Sequence, residues 1–308
     1  MEIITITAVS FIVVLALAAI SGSIIERSGT INLSIEAFMI LGGLNYALIA
    51  NHFKSMHEAH QIWILLCSGL IPLLFGYIYG LLTVTLKANQ TIAGIALNTF
   101  ALAVALFLIT TRINPGFNES TQFISFYDDI WHPGAHTKDF KKIFNAGVIM
   151  GVIIIALLIL VLNKTKLGIK IKTVGENPQA AASLGMNVVL IRYIAILISS
   201  FLTGVAGAIF FQTTSSQFDG NTKGVGFLAV AMVIFGQWRP TYIILASVLF
   251  GYLYTFAENN IISPLGGKVP ADLFMATPYI ITIFILTFTQ RNSKSPKALG
   301  IPFETQGR

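Results

Sequence analysis

Along most of the chain, apolar runs of about 20 residues alternate with short polar stretches. The runs at 3–25, 62–86, 88–110, 146–162, 189–211, 225–237, 242–256 and 274–290 are read as helices that cross a hydrocarbon layer, and a short, glycine-bearing one lies at 37–50. The expected fold is all-α, a polytopic transmembrane helical bundle of about 9–10 spans in a single domain over residues 1–308. The run at 37–50 is too short for an ordinary span and is preceded by the polar stretch from Glu26 to Glu36. That pattern predicts a broken helix, because irregular backbone at membrane depth is tolerated only where protein buries it or it lines a cavity. Met39-Ile40-Leu41-Gly42 after this polar lead has an echo in Met232-Val233-Ile234-Phe235-Gly236 after the lead at 219–224. The two would run in opposite directions, as an inverted repeat or as a coincidence of common residues.

The longest polar stretch is the loop 111–145, and the most informative is the loop 164–188. The latter begins with Lys164, Lys166, Lys170 and Lys172 and continues through Gly175, Glu176, Asn177, Pro178, Gln179, Ala180, Ala181, Ala182, Ser183, Leu184 and Gly185. Asn177 can accept from the free amides of a helix start, Pro178 suits the first helical position, and Gly185 can take the left-handed conformation that ends a helix. These residues predict a helix of about two turns from Pro178 to Leu184. A helix so short does not hold in water alone, so it must rest on something, and the expectation is another protein.

Composition strengthens the membrane reading: 55% of residues are hydrophobic, only 10% are charged, and the mean hydropathy is +0.78. The formal charge of +6 does not indicate nucleic acid, because the basic residues sit at span ends and not on one soluble face. Alternating the spans puts Arg27, Lys87, the lysines of 164–172, Arg192, Arg239 and the basic tail on one side. Only Lys54, Arg112, Lys138, Lys141, Lys142, Lys223 and Lys268 fall on the other. The positive-inside rule then places 164–188 and the C-terminus in the cytoplasm and the N-terminus outside. The first apolar run lacks a positive n-region and continues past Ala16-Leu17-Ala18, so it is expected to be a retained span and not a cleaved signal.

Little in the chain points to catalysis. Gly266-Gly267-Lys268 is followed by Val269 and lacks the first glycine of a phosphate-binding loop. His52, His57 and His60 lie close together, but Gln61 stands where a zinc-protease motif needs its second histidine, so no metal site is expected. Cys67, the one cysteine, falls inside an apolar run as a packing residue. Ser199 and Ser200 have no base beside them; with Thr203, Gly204 and Gly207 they form a small-residue face for close helix packing. The spans hold few ionisable groups, which counts against a proton- or ion-coupled carrier. Their polar residues Asn32, Glu36, Asn45, Gln90 and Asn98 suit a path for a neutral or weakly polar solute, or else bonding between helices.

With those residues in view, the chain resembles the permease subunits of ATP-binding-cassette (ABC) importers of the branched-chain amino acid, ribose and nucleoside group, specifically the simple-sugar/nucleoside permeases. The resemblance rests on Glu26 to Glu36, Thr91 to Asn98, Gly175 to Ala181 with Gly185, Gly224 to Ala231 ending in Gly236-Gln237-Trp238-Arg239-Pro240, and the tail Ala298-Leu299-Gly300-Ile301-Pro302. It departs at Ser34 and Ala37, where many relatives have glycine. The resemblance implies a type II importer permease in the bacterial cytoplasmic (inner) membrane, surrounded by lipid, that imports a nucleoside or a simple sugar. It makes Gly175, Glu176, Asn177, Pro178, Ala180, Ala181 and Gly185 the coupling segment that docks on a cytoplasmic ATPase. That partner would hold the ATP and magnesium, with no cofactor in this chain. A second permease subunit, identical or merely homologous, and an extracytoplasmic solute-binding protein complete the expected assembly. The rival is an autonomous carrier or channel, which would need its own energy coupling or pore.

Overall fold

The computed structural model describes residues 2–54, 61–113, 145–214, 218, 220–258, 280 and 294–304. Within them the chain forms eleven α-helices and no strand. They are α1 (Glu2–Arg27), α2 (Ile35–Lys54), α3 (Gln61–Cys67), α4 (Leu70–Gly80), α5 (Gln90–Leu108), α6 (Ala146–Lys164), α7 (Lys166–Glu176), α8 (Pro178–Ser183), α9 (Val188–Thr214), α10 (Val225–Phe235) and α11 (Pro240–Glu258). Five segments are long and apolar enough to cross a membrane: Thr7–Arg27, Ile62–Thr85, Gln90–Thr111, Ala146–Lys164 and Val188–Thr213. Three shorter apolar helices cover Ile35–Ala50, Val225–Phe235 and Pro240–Phe256. The chain is therefore a multi-pass helical membrane protein. All of the expected span 274–290 but residue 280, nearly all of the loop 111–145, Lys268, and His57 and His60 lie outside the described residues.

The helix starts follow local chemistry. Asn89 accepts from the amides of Thr91 (3.0 Å) and Ile92 (3.1 Å) to open α5, and Asn145 accepts from Val148 (2.7 Å) to open α6. The span expected at 62–86 is not one continuous α-helix. It breaks at Ser68 and Gly69 between α3 and α4 and ends in a π-helical turn over Leu81–Thr85.

In the middle of the bundle α9 runs along α1, α2 and α4, while α1 also meets α6, α10 and α11. The close approach depends on small residues. A Cβ at Gly42 would collide with the Gly204 backbone, one at Gly207 with Met39, and one at Gly76 with the Ser200 side chain. The small-residue face expected on α9 is thus the surface against which α2 and α4 close.

The segment 164–188 requires a correction. Its basic first half is not a loop but the amphipathic helix α7, set off from α6 by Thr165, whose hydroxyl accepts from the Gly168 amide at 3.3 Å. Ile171, Val174 and Gly175 turn inward while Lys166 and Lys170 turn toward solvent, so the lysine content masks a helical period.

Candidate functional site

Two zones carry the residues singled out by the sequence. The first is the platform formed by α7, α8 and the start of α9. Asn177 is extended (φ −151°), and its side chain accepts from the Ala180 amide at 2.9 Å, with Pro178 in the first turn. Gly185 has φ +80°, and the Gly185 and Met186 amides bond back to the carbonyls of Ala182 (2.9 Å) and Ala181 (3.1 Å). Asn187 then accepts from the Leu190 amide at 3.0 Å and opens α9. Part of the support that α8 needs comes from its own chain, not another protein: Ala181 is 0% exposed, and Ala182 and Met186 pack on the core. Of the expected coupling residues, Gly175 and Ala181 are buried, Pro178 is half-buried, and Glu176, Asn177, Ala180 and Gly185 are exposed. The outer face is completed by Leu184, the last residue of the helix expected from Pro178 to Leu184, which is 76% exposed.

The platform joins the end of α1. A Cβ at Gly175 would collide with the Arg27 carbonyl, so α7 lies directly on the last turn of α1. Arg27 donates to the Trp238 carbonyl, and Trp238 Nε1 donates to Glu26 Oε2 at 2.5 Å, which fastens the turn after α10 to the same place. Gln237 and Trp238 make that turn with positive φ (+47° and +57°). Burial, followed by repulsion from the Arg27 guanidinium, holds the Lys172 amine below the usual lysine range.

The second zone is the break between α1 and α2. Residues 30–34 are non-helical, so their backbone groups must be satisfied inside the bundle. Gln90 Oε1 accepts from the Ile31 amide (2.7 Å), and the Tyr79 hydroxyl donates to the Ile31 carbonyl (2.5 Å). Asn98 both donates to the Leu33 carbonyl (2.8 Å) and accepts from the Ala37 amide (2.9 Å). Asn32 Oδ1 accepts from the Ser34 amide (3.3 Å) and hydroxyl (2.9 Å), while its Nδ2 donates to the Gly22 carbonyl (3.4 Å). Four of the five expected path residues therefore gather here: Asn32, Gln90 and Asn98 around the break, and Glu36 just beyond it. Asn45 stands apart and does the same work at the other break, donating to the carbonyls of Cys67 (2.8 Å) and Ser68 (3.3 Å).

Glu36, 6% exposed in the first turn of α2, accepts from the Thr222 hydroxyl and from the Gly226 amide (2.7 Å) in the first turn of α10. No side chain fits at Gly226, because its Cβ would overlap Glu36. The starts of α2 and α10 thus meet at one carboxylate, while the far end of α10 reaches Glu26 and Arg27. The eleven residues of α10 span about 16 Å, roughly half a hydrocarbon layer. Helix α10 therefore runs from Glu36 back toward the end of α1.

Comparison with known proteins adds the lineage. Residues 4–286 match the family model described as branched-chain amino acid transport system / permease component. The chain is 31% identical to the guanosine ABC transporter permease protein NupQ of Bacillus subtilis, and 31% identical to the nucleoside ABC transporter permease protein NupC of Lactococcus lactis. Each alignment covers 94% of this chain and 92% of the relative. A putative glucose ABC transporter permease protein of Haloferax volcanii is 26% identical over the same shares. A match of this length takes in both breaks, the capped helix and the α2–α10 junction, and on it the chain belongs to the permease components of branched-chain amino acid-type ABC transport systems: it is a membrane-spanning transport subunit, not an enzyme.

Proposed function

We propose that this chain is one of two permease subunits of a nucleoside importer, seated in a bacterial inner membrane with its C-terminus in the cytoplasm. It would dock α8 on a cytoplasmic ABC ATPase that carries the ATP and magnesium. A solute-binding protein would deliver the substrate from outside. The observation that carries this reading is α8 itself: a capped helix anchored through Ala181 and presenting Ala180, Ser183 and Leu184 outward from the end of the bundle. An autonomous carrier has no need of such a surface. The names of the two 31% relatives favour a nucleoside, and the more distant glucose permease keeps a simple sugar as second substrate.

Coupling works through packed contacts. Displacement of α8 moves Gly175 against the end of α1, and from there the break and the α2–α10 junction at Glu36 shift between two arrangements. Asn32, Gln90 and Asn98 hold the broken backbone beside the path, Asn45 holds the α3–α4 break, and Glu36 closes the junction. The test is uptake of guanosine, with glucose and ribose as competitors, into vesicles carrying the assembled complex and ATP. Uptake should require the ATPase and yield to nucleosides first. Transport by the purified chain alone would overturn the importer reading. Leu184→Asp should abolish ATP-driven uptake and release the ATPase while membrane insertion stays normal. Unchanged uptake would remove α8 from the contact.

A further inference from the structure

Arg192 is the largest fully buried side chain of the described residues, at 1% exposure, and it lies in the second turn of α9, just past the platform. A guanidinium removed from water needs compensation, and an isolated one is strongly destabilising. Among the described residues its bonds go to carbonyl oxygens alone: Nε donates to Ser28 at the end of α1 (3.2 Å), and Nη1 and Nη2 both donate to Ile301 (3.2 Å each). The Ser28 carbonyl belongs to the negative end of the α1 dipole. The Ile301 carbonyl comes from the C-terminal segment, more than a hundred residues away.

That segment touches each part of the platform in turn. The Ala298 amide donates to the carbonyl of Gly175 (2.9 Å), two residues ahead of the α8 cap. The Gly300 amide donates to the Gly29 carbonyl (3.0 Å), at the start of the stretch leading into the break. Gly29 and Gly300 both have positive φ (+92° and +82°), and both sites are tight. A Cβ on Gly29 would lie 2.9 Å from Arg192 Nη2 and 3.1 Å from the Ala298 carbonyl, and one on Gly300 would lie 2.9 Å from Ile31 Cδ1. At the far end, Glu304 approaches Lys87 in the turn before α5 (3.9 Å).

We propose that residues 294–304 are an intramolecular strap, with Arg192 as the positioning residue that seats it, and that the strap makes the coupling segment and the α1–α2 break move as one body. Without it, Gly175 keeps its packing against Arg27 and Gly29 but loses the hydrogen bond to the tail, and displacement of α8 is taken up at the platform before it reaches the break. The proposal rests on the permease reading above. The two fail differently: without the permease reading transport proceeds with no ATPase, whereas without the strap ATP-driven transport persists in a chain that lacks it.

The experiment compares four complexes in vesicles: the full chain, a chain ending at residue 293, Arg192→Met, and both changes together. Uptake and ATP hydrolysis are measured on the same samples. The expected result is a loss of uptake of about tenfold or more in each variant, with hydrolysis within about twofold of the full chain, and no further loss in the combined variant. A rise in ATP consumed per solute marks lost coupling, which mere loss of folded protein would not produce. Should the shortened chain fail to assemble, the same cycle is run with Gly300→Val in the full-length chain. Uptake within about twofold of the full chain, or losses that multiply when the changes are combined, would overturn the strap.

Discussion

The inner and outer helices of this bundle are similarly apolar, yet they stand in different surroundings. In the span Thr7–Arg27, 89% of the most apolar stretch is buried inside the protein; for Ile62–Thr85, Gln90–Thr111 and Ala146–Lys164 the share is 39%. Hydrophobicity cannot cause that difference, because lipid tails receive leucine as readily as a protein interior does. Two other features separate inward from outward faces. The inward faces carry small residues at their crossings, such as Gly22, Gly42, Gly76, Gly204 and Gly207, and polar side chains that bond to backbone, Asn98 reaching in from α5 among them. The outer faces carry large apolar side chains, among them Leu74, Phe107, Ile153 and Leu157, that are more than half exposed among the described residues. Close contact and backbone satisfaction hold the centre together, while the periphery needs only to be apolar.

The largest effect is expected from closing the tightest inner crossing. In Gly42→Leu the added side chain meets the backbone of Gly204, which has no rotamer to yield, so α2 and α9 must separate. A cost of about 3 kcal/mol is expected. Thermal unfolding in detergent should show a markedly lowered midpoint, and a midpoint within error of the native one would break the claim that small residues set the core.

Next is the polar half of the comparison. Asn98→Leu keeps the volume of the side chain but leaves the Leu33 carbonyl and the Ala37 amide without a partner at depth. The expected loss is about 2 kcal/mol. Faster hydrogen exchange at residues 31–37 should accompany it while the amides of α9 keep their protection. If exchange rises equally everywhere, Asn98 is holding the whole bundle and not the break.

How much of this was legible in the sequence follows the range of each interaction. The capped helix after Asn177 could be read because every residue that makes it lies within eight positions: the asparagine cap, the proline and the glycine act on their own neighbours. The apolar runs and the position of the break between α1 and α2 were visible for the same reason, whereas the break inside 62–86 was not. The partners of Asn98 and Gln90 were not, since a polar side chain in a span looks alike whether it faces a solute or a backbone amide some sixty residues away. Helix α7 was hidden by its lysines, and Arg192 was counted only as an orientation charge. That Ile301 accepts from it depends on the folded chain bringing the tail across the platform. Local chemistry announces itself; long-range satisfaction of buried groups does not.

The smallest effect is expected on the outer face, and it sharpens the comparison most. Leu74, in α4, is 63% exposed, so shortening it removes little packing within the chain. Leu74→Ala, and likewise Ile153→Ala on α6, should change the unfolding midpoint of the isolated chain by less than about 0.5 kcal/mol equivalent. The same substitutions in the assembled complex then separate two kinds of periphery. Where lipid covers the face, alanine and leucine are both accepted and the complex is as stable as before. Where a second permease subunit covers it, the lost van der Waals contact appears as a weaker assembly, in native mass measurements or in the concentration dependence of unfolding. A change at one helix and none at the other assigns the subunit boundary to that helix. Equal and measurable losses in the isolated chain would show that the outer faces pack within the subunit and that the division into inner and outer helices is wrong.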